Sequence, residues 1–195
     1  MSKIQKSNWF KLIHKFLKTA KKIEQSFIYL TESGYTAKNI LIYCQSGSGP
    51  SAVLSSLAQV LIDPYYRTFE GFQSLILKEW VYFGHNFMKS LNLNNKPLNL
   101  AEQTFSPMFV LFLDCVYQLL QMNRTEFEFT EEMLVYMAYH AFSCKYYELT
   151  HLNPLEYLVG TSTPKGVSTT PAEAPDLVSL FSFLEKEKYL SKMYQ

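Results

Sequence analysis

Net charge is nearly absent from this chain. Its 18 Lys and Arg stand against 17 Asp and Glu, leaving +1 over 195 residues. No global positive field exists to hold a nucleic acid, so nucleic-acid partners are excluded. Glycine and proline number only 7 and 8, far too few for a fibrous or low-complexity protein. Long apolar runs are missing too: the best, Met108–Leu120, is interrupted by Asp114 and is too short to cross a bilayer. The N-terminus is lysine-rich without a continuous apolar stretch, so no signal peptide is expected. Cysteine occurs three times, at Cys44, Cys115 and Cys144. An odd count without an export signal points to reduced thiols and a cytoplasmic setting. None of them is spaced with His14, His85, His140 or His151 as a zinc site would need. What the chain does have is core material. It is 48% hydrophobic and 16% aromatic, which excludes disorder for most of its length.

The small net charge conceals an asymmetry. Residues 1–23 carry seven lysines and no acid, whereas the remainder holds 11 basic against 17 acidic side chains. Trp9, Ile13, Phe16, Ala20, Ile23, Phe27 and Leu30 recur at three- and four-residue intervals, the signature of one helix face. Such a basic amphipathic helix either packs on a core with its lysines solvated or lies on an anionic membrane. After a turn at Ser33-Gly34-Tyr35 comes Asn39–Cys44, a nearly all-apolar run that predicts a strand covered on both faces. Helical periodicity resumes at Ala52, with Pro50 suited to a first turn, and stops at Asp63-Pro64. Further helices are expected at about 69–83, 106–122 and 131–144, and a last one over 176–192. Residues 91–104 and the Thr/Ser/Pro/Gly-rich 153–175 are expected to be loops. One strand cannot satisfy its own backbone, so either its partner strands lie outside this sequence or the chain is a fragment of a larger domain.

The strand, loop and helix around Cys44 form the one chemical constellation in the chain. A buried strand that delivers a cysteine into a glycine-rich loop at a helix N-terminus lets amides bind an anion and lower the thiol pKa. Cysteine-dependent phosphoryl hydrolysis also needs an arginine to fork onto the phosphate oxygens and an acid to protonate the leaving group. The usual spacing is Cys, five residues, Arg, then Ser or Thr. Here Cys44-Gln45-Ser46-Gly47-Ser48-Gly49-Pro50-Ser51 keeps the cysteine and the hydroxyl and puts proline at the arginine position. No lysine follows Gly49 to make a Walker loop, and Ser46 and Pro50 stand where a nucleophile elbow at Ser48 would need glycines. Without arginine, Cys44 has less reason to be a thiolate. His85 and His140 read as hydrogen-bonded structural residues. Cys115 and Cys144 read as small buried hydrophobes, and Arg67 with Glu70 as a structural charge pair. Trp80, Phe83, Phe109, Phe112, Phe127 and Phe129 read as core. Asp114, on an apolar helix, needs a donor, expected from a neighbouring loop.

From Cys44 onward the sequence resembles the myotubularin family, phosphoinositide 3-phosphatases of the cysteine-phosphatase superfamily. The resemblance is carried by Asp63-Pro64-Tyr65-Tyr66-Arg67-Thr68-Phe69-Glu70-Gly71-Phe72, then Leu75-Ile76, Lys78-Glu79-Trp80 and Phe83-Gly84-His85. It continues in order through Ser106–Phe109, Phe112–Val116, Phe127–Phe129, Ser143-Cys144 and Val178–Ser182. The helix from Asn8-Trp9 fits the element before the catalytic strand, so the likeness spans about residues 7–150 and 177–188.

The resemblance implies an α/β cysteine-phosphatase-like fold, here an incomplete and mostly helical domain with one central strand at 39–44. Residues 1–152 would be the C-terminal part of the phosphatase domain, 153–175 a flexible loop, and 176–195 a terminal helix of the same domain. Active members of the family read Cys-Ser-Asp-Gly-Trp-Asp-Arg-Thr in the loop. Against that pattern Ser46 replaces the first Asp, Gly49 the general acid and Pro50 the arginine. The implied protein is a pseudophosphatase that needs no cofactor and serves as adaptor or regulator of an active myotubularin homologue. A phosphoinositide or anionic membrane surface is a further expected partner, at a cytoplasmic site peripheral to endomembranes. The alternative is an active phosphatidylinositol 3-phosphate phosphatase with Cys44 as nucleophile and an arginine brought from elsewhere, Arg67 being the only one nearby. A third reading is a remnant that does not fold stably on its own.

Overall fold

The computed structural model describes residues 8–32, 39–45, 47, 49–93, 105–150, 179–182 and 184–194. Four longer helices carry the architecture: α1 (Trp9–Glu32), α2 (Pro50–Ile62), α5 (Met108–Met122) and α6 (Glu131–Ser143). Between them lie α3 (Phe69–Ile76), which runs on into a π-helical stretch Leu77–Tyr82, and the single turn α4 (Phe87–Ser90). A last single turn, α7 (Lys186–Tyr189), follows near the C-terminus. Helix α2 packs against α1 and α5, and α5 packs in turn against α6. No helix among the described residues is long and apolar enough to cross a membrane.

The predicted face of α1 is the one it buries. Ile13 and Ala20 are buried, while Trp9, Phe16, Ile23, Phe27 and Leu30 are partly so. Its lysines face water, so the helix is a core helix with a solvated basic side. Asp114 does find a donor, although not in a loop. Its Oδ2 accepts the Trp9 indole N–H at 2.7 Å and its Oδ1 accepts from Gln118 at 3.0 Å, which ties α1 to α5.

The sequence from Asp63 to Phe72 folds as it does for local reasons. Asp63 Oδ1 accepts the Tyr65 N–H at 2.9 Å and Pro64 opens a 3₁₀ turn, Pro64–Arg67. Thr68 then caps α3 by accepting the Gly71 N–H at 3.0 Å. Gly71 must be glycine because a Cβ there would stand 1.8 Å from the Tyr65 carbonyl oxygen. Behind this corner lies an aromatic cluster. Trp80, fully buried, meets Phe109 at 5.0 Å and Phe112 at 5.3 Å, and Phe72 meets Phe129 at 4.6 Å. The Trp80 indole N–H donates to Ser56 Oγ on α2 at 3.0 Å, so the ring's polar atom is satisfied as well.

Several expectations fail here. Asn39–Cys44 forms no ladder, and the described residues instead carry an isolated β-bridge between Phe129 and Leu190. Nor is it covered on both faces, since Leu41 and Tyr43 are each 83% exposed. The predicted 69–83 helix changes to π winding after Ile76 and leaves Phe83 in solvent rather than in the core. The single terminal helix is broken into a 3₁₀ turn, Leu180–Ser182, and the short α7, because other groups claim its backbone. Buried Glu148 accepts the Leu180 N–H at 3.0 Å and a bond from Ser179 Oγ, and the Thr130 N–H reaches the Tyr189 carbonyl at 2.8 Å. Leu180, Leu184 and Tyr189 are nevertheless buried. The expected loop at 153–175 and residues 94–104 of the other lie outside the described residues.

Candidate functional site

Helix α2 begins at Pro50 with Gly49 as its N-cap, and no side chain accepts from its first-turn amides. Proline tolerates this position because its missing N–H had no helical partner to lose. The remaining orphan donors turn toward Cys44. Gly47 bends the loop back with φ at +72°, a left-handed conformation that glycine adopts without strain.

Cys44 is half-buried at the end of the extended segment, with its sulfur 3.1 Å from Ser51 Oγ. Burial pushes its pKa up. The Ser51 hydroxyl, together with hydrogen bonds to the backbones of Ser51, Gly47 and Gly49, pulls it down and prevails, to about 6. The helix end and loop amides that remain in the absence of an arginine thus still favour the thiolate. An open helix N-terminus, bent loop amides and one hydroxyl are enough to hold a thiolate at neutral pH without a guanidinium. Ser51 also donates to the Gly47 carbonyl at 2.8 Å. A hydroxyl has one hydrogen, so it serves that carbonyl when Cys44 is a thiol and turns to the sulfur when Cys44 ionises.

Gln45 and Pro50 are exposed around this sulfur, whereas Gly49 and Ser51 are buried. Ser46 and Ser48 of the predicted loop lie outside the described residues. A Cβ on Gly49 would sit 3.6 Å from Met108 Cγ, an ordinary contact, so space does not forbid a side chain there.

The chain has only two arginines, and both are committed elsewhere. Arg67 donates to the Val60 carbonyl at 3.1 Å and the Leu61 carbonyl at 3.5 Å, closing the C-terminus of α2, and its other nitrogen meets Glu126 at 3.5 Å. It therefore pairs with Glu126 rather than Glu70, whose carboxylate faces Lys186 at 4.0 Å. From Pro50 to Leu61 is roughly 16 Å along the helix axis at 1.5 Å per residue. The nearest guanidinium is thus fixed at the opposite end of the helix that carries the loop. Arg124 bonds to Gln121 one turn back on its own strand of chain.

The other candidate residues are structural. His85 is buried, its Nε2 lies 3.2 Å from Ser90 Oγ, and it stands edge-on to Trp80. His140 lies among Tyr136, Tyr139 and Tyr146, with Nδ1 3.1 Å from Ser143 Oγ, and burial lowers its pKa. His151 lies outside the described residues. Cys115 is inert, since burial beside Asp114 lifts its pKa to about 12. Cys144 is only half-buried, with its sulfur 3.4 Å from Met88 Sδ and its pKa raised by burial. No group of His, Cys, Asp or Glu among the described residues could hold a metal ion. Sequence reasoning overlooked Glu148 and Glu128. These carboxylates anchor the C-terminal segment, and no local pattern announces long-range partners of that kind.

Comparison with known proteins places the chain in a family. Residues 1–152 match the family described as the Myotubularin-like phosphatase domain. Myotubularin of Xenopus laevis is 31% identical over 194 residues, which is 98% of this chain and 30% of that protein. Phosphatidylinositol-3,5-bisphosphate 3-phosphatase of Mus musculus is 34% identical over 156 residues, 80% of this chain and 22% of that protein. Myotubularin of Rattus norvegicus is 34% identical over 146 residues, 75% of this chain and 23% of that protein. The chain spans between about a fifth and a third of the length of these relatives. With a cysteine loop at a helix N-terminus and a family match over most of its length, the chain belongs to the myotubularin-like phosphatase family.

Proposed function

We infer that this chain is a catalytically inactive member of its family, a pseudophosphatase that regulates an active phosphoinositide 3-phosphatase. The observation that carries the reading is Pro50 beside Ser51, with both arginines of the chain engaged elsewhere. A thiolate at Cys44 can attack phosphorus, but the charge that builds on the equatorial oxygens then meets no guanidinium. Losing such a group costs about 10²–10³ in rate, and losing the general acid about 10²–10⁴ more, although groups that act together do not add fully. Pro50 also contributes no amide to the cradle.

The same reading makes Asn39–Cys44 a strand of a cysteine-phosphatase-like α/β sheet completed by other polypeptide. Its exposure supports this, because Leu41 and Tyr43 face outward while Ile42 and Cys44 are partly covered, the period-two alternation of a strand. An active homologue is then the natural partner, at a cytoplasmic site on the periphery of endomembranes.

One observation favours the alternative of an active phosphatidylinositol 3-phosphate phosphatase: the Cys44 pKa near 6, which supplies a ready nucleophile. Phosphate release from that lipid decides between them. The chain, alone and mixed with an active relative, is assayed with Cys44 intact and with Cys44→Ser. The inactive reading expects no release that depends on Cys44, and a change in the relative's turnover or recovery that survives Cys44→Ser. Release abolished by Cys44→Ser would overturn it.

A further inference from the structure

We propose that the outer ridge of α1 is a docking face for an anionic membrane surface, independent of the Cys44 loop. Lys11, Lys15, Lys18 and Lys22 follow one another at intervals of four, three and four residues, so they form a single row along the helix. All four are exposed, and the row runs opposite the side that carries Ile13 and Ala20 into the core. None of the four pairs with an acid among the described residues. The ion pair on this helix joins Lys21 to buried Glu24 at 2.9 Å, and the remaining acid, Glu32, is its last residue. The row extends roughly 16 Å at 1.5 Å per residue. Tyr29, 68% exposed, continues the same spacing beyond it. There the ridge ends in an open groove of about 560 Å³ lined by Lys22, Gln25, Ser26, Tyr29 and Leu30.

Because α1 spends its apolar side on its own core, it has no hydrophobic face left to insert into lipid. What it offers is a straight line of point charges on a rigid support, with one amphipathic ring at the end. That shape suits a planar sheet of negative charge and diffuse attraction. It suits nucleic acid poorly: the ridge holds no arginine, and the rest of the chain is net acidic. The helix is held by packing against α2 and α5 and by the Trp9–Asp114 bond, so the ridge is presented without an ordering cost.

The full chain is sedimented with phosphatidylcholine vesicles, with and without roughly 30% phosphatidylserine, at low and raised salt. It should bind only the anionic vesicles and be released at raised salt. Changing Lys11, Lys15, Lys18 and Lys22 together to Gln should weaken binding by on the order of 10²–10³, at about fivefold per lysine. The corresponding Lys→Arg variant should bind as the parent does, and neutralising exposed Lys89, Lys145 and Lys192 instead should leave binding within about threefold. Circular dichroism of each variant verifies the fold. The proposal is overturned if the parent ignores anionic vesicles, if the four-Gln variant folds and binds equally well, or if duplex DNA or a polyglutamate competitor binds the ridge more tightly than the vesicles.

Discussion

Trp80 donates its indole N–H to Ser56 in the middle of α2, and Cys44 receives donors from the first turn of that same helix. The two sites are one helix apart and held by opposite logic. Around Trp80, apolar surface is fully covered, rings meet edge to face and the polar atom is paired. Along Asn39–Cys44, apolar side chains face water and the sulfur sits among backbone donors and the Ser51 hydroxyl. The core is therefore closed among the described residues, whereas the segment leading into the loop holds apolar side chains that the described residues leave uncovered.

Trp80→Ala tests the first half of that contrast most severely. It removes the largest fully buried side chain and should cost about 3–5 kcal/mol in urea unfolding. Gly71→Ala should cost about 1–3 kcal/mol, because its Cβ would collide with backbone at Tyr65 rather than with a flexible tip. At the loop, Pro50→Arg should tighten binding of a phosphate analogue such as tungstate by about 10–100-fold, read by calorimetry, since a charged donor would then reach the anion. No tightening would mean that the proline is not what disables the cradle.

Cys44 gives a pH signature of definite sign. Its thiol is held at about 6 in the fold, below its ordinary value of 9.0. The stability it contributes is therefore fully present above about 9 and lost as pH falls through about 6. Unfolding free energy should rise between those limits by at most about 1.4 kcal/mol per pH unit, reduced by solvent contact, and Cys44→Ala should flatten the slope. Ser51→Ala should move the midpoint of the Cys44 alkylation rate upward. The smallest effect is expected on the exposed segment Asn39–Cys44: Leu41→Ser with Tyr43→Ser should change the stability of the isolated chain by less than about 0.5 kcal/mol. A core-sized loss there would end the contrast between the two regions.

Residue spacing alone revealed the buried face of α1, the start of α2 at Pro50, and the cluster of Trp80, Phe109, Phe112, Phe127 and Phe129. These were legible because helical periodicity and large apolar side chains act locally or without direction. Phe83 was misread because it ends the π-helical stretch at a turn, where Gly84 has φ at +74° and the register of the buried face is lost. The terminal helix was misread because Glu148 and the backbone around Glu128 compete for its amides and carbonyls from across the molecule.

At the site, the order of residues determined by itself which side chains are available, since no folding can turn Pro50 into a cation or Gly49 into an acid. Only the tertiary structure decided the state of the sulfur and the duties of Arg67 and Asp114. A pKa depends on the donors gathered around one atom, and the partner of a charged side chain depends on which helix ends are brought together. Neither quantity is written in spacing along the chain.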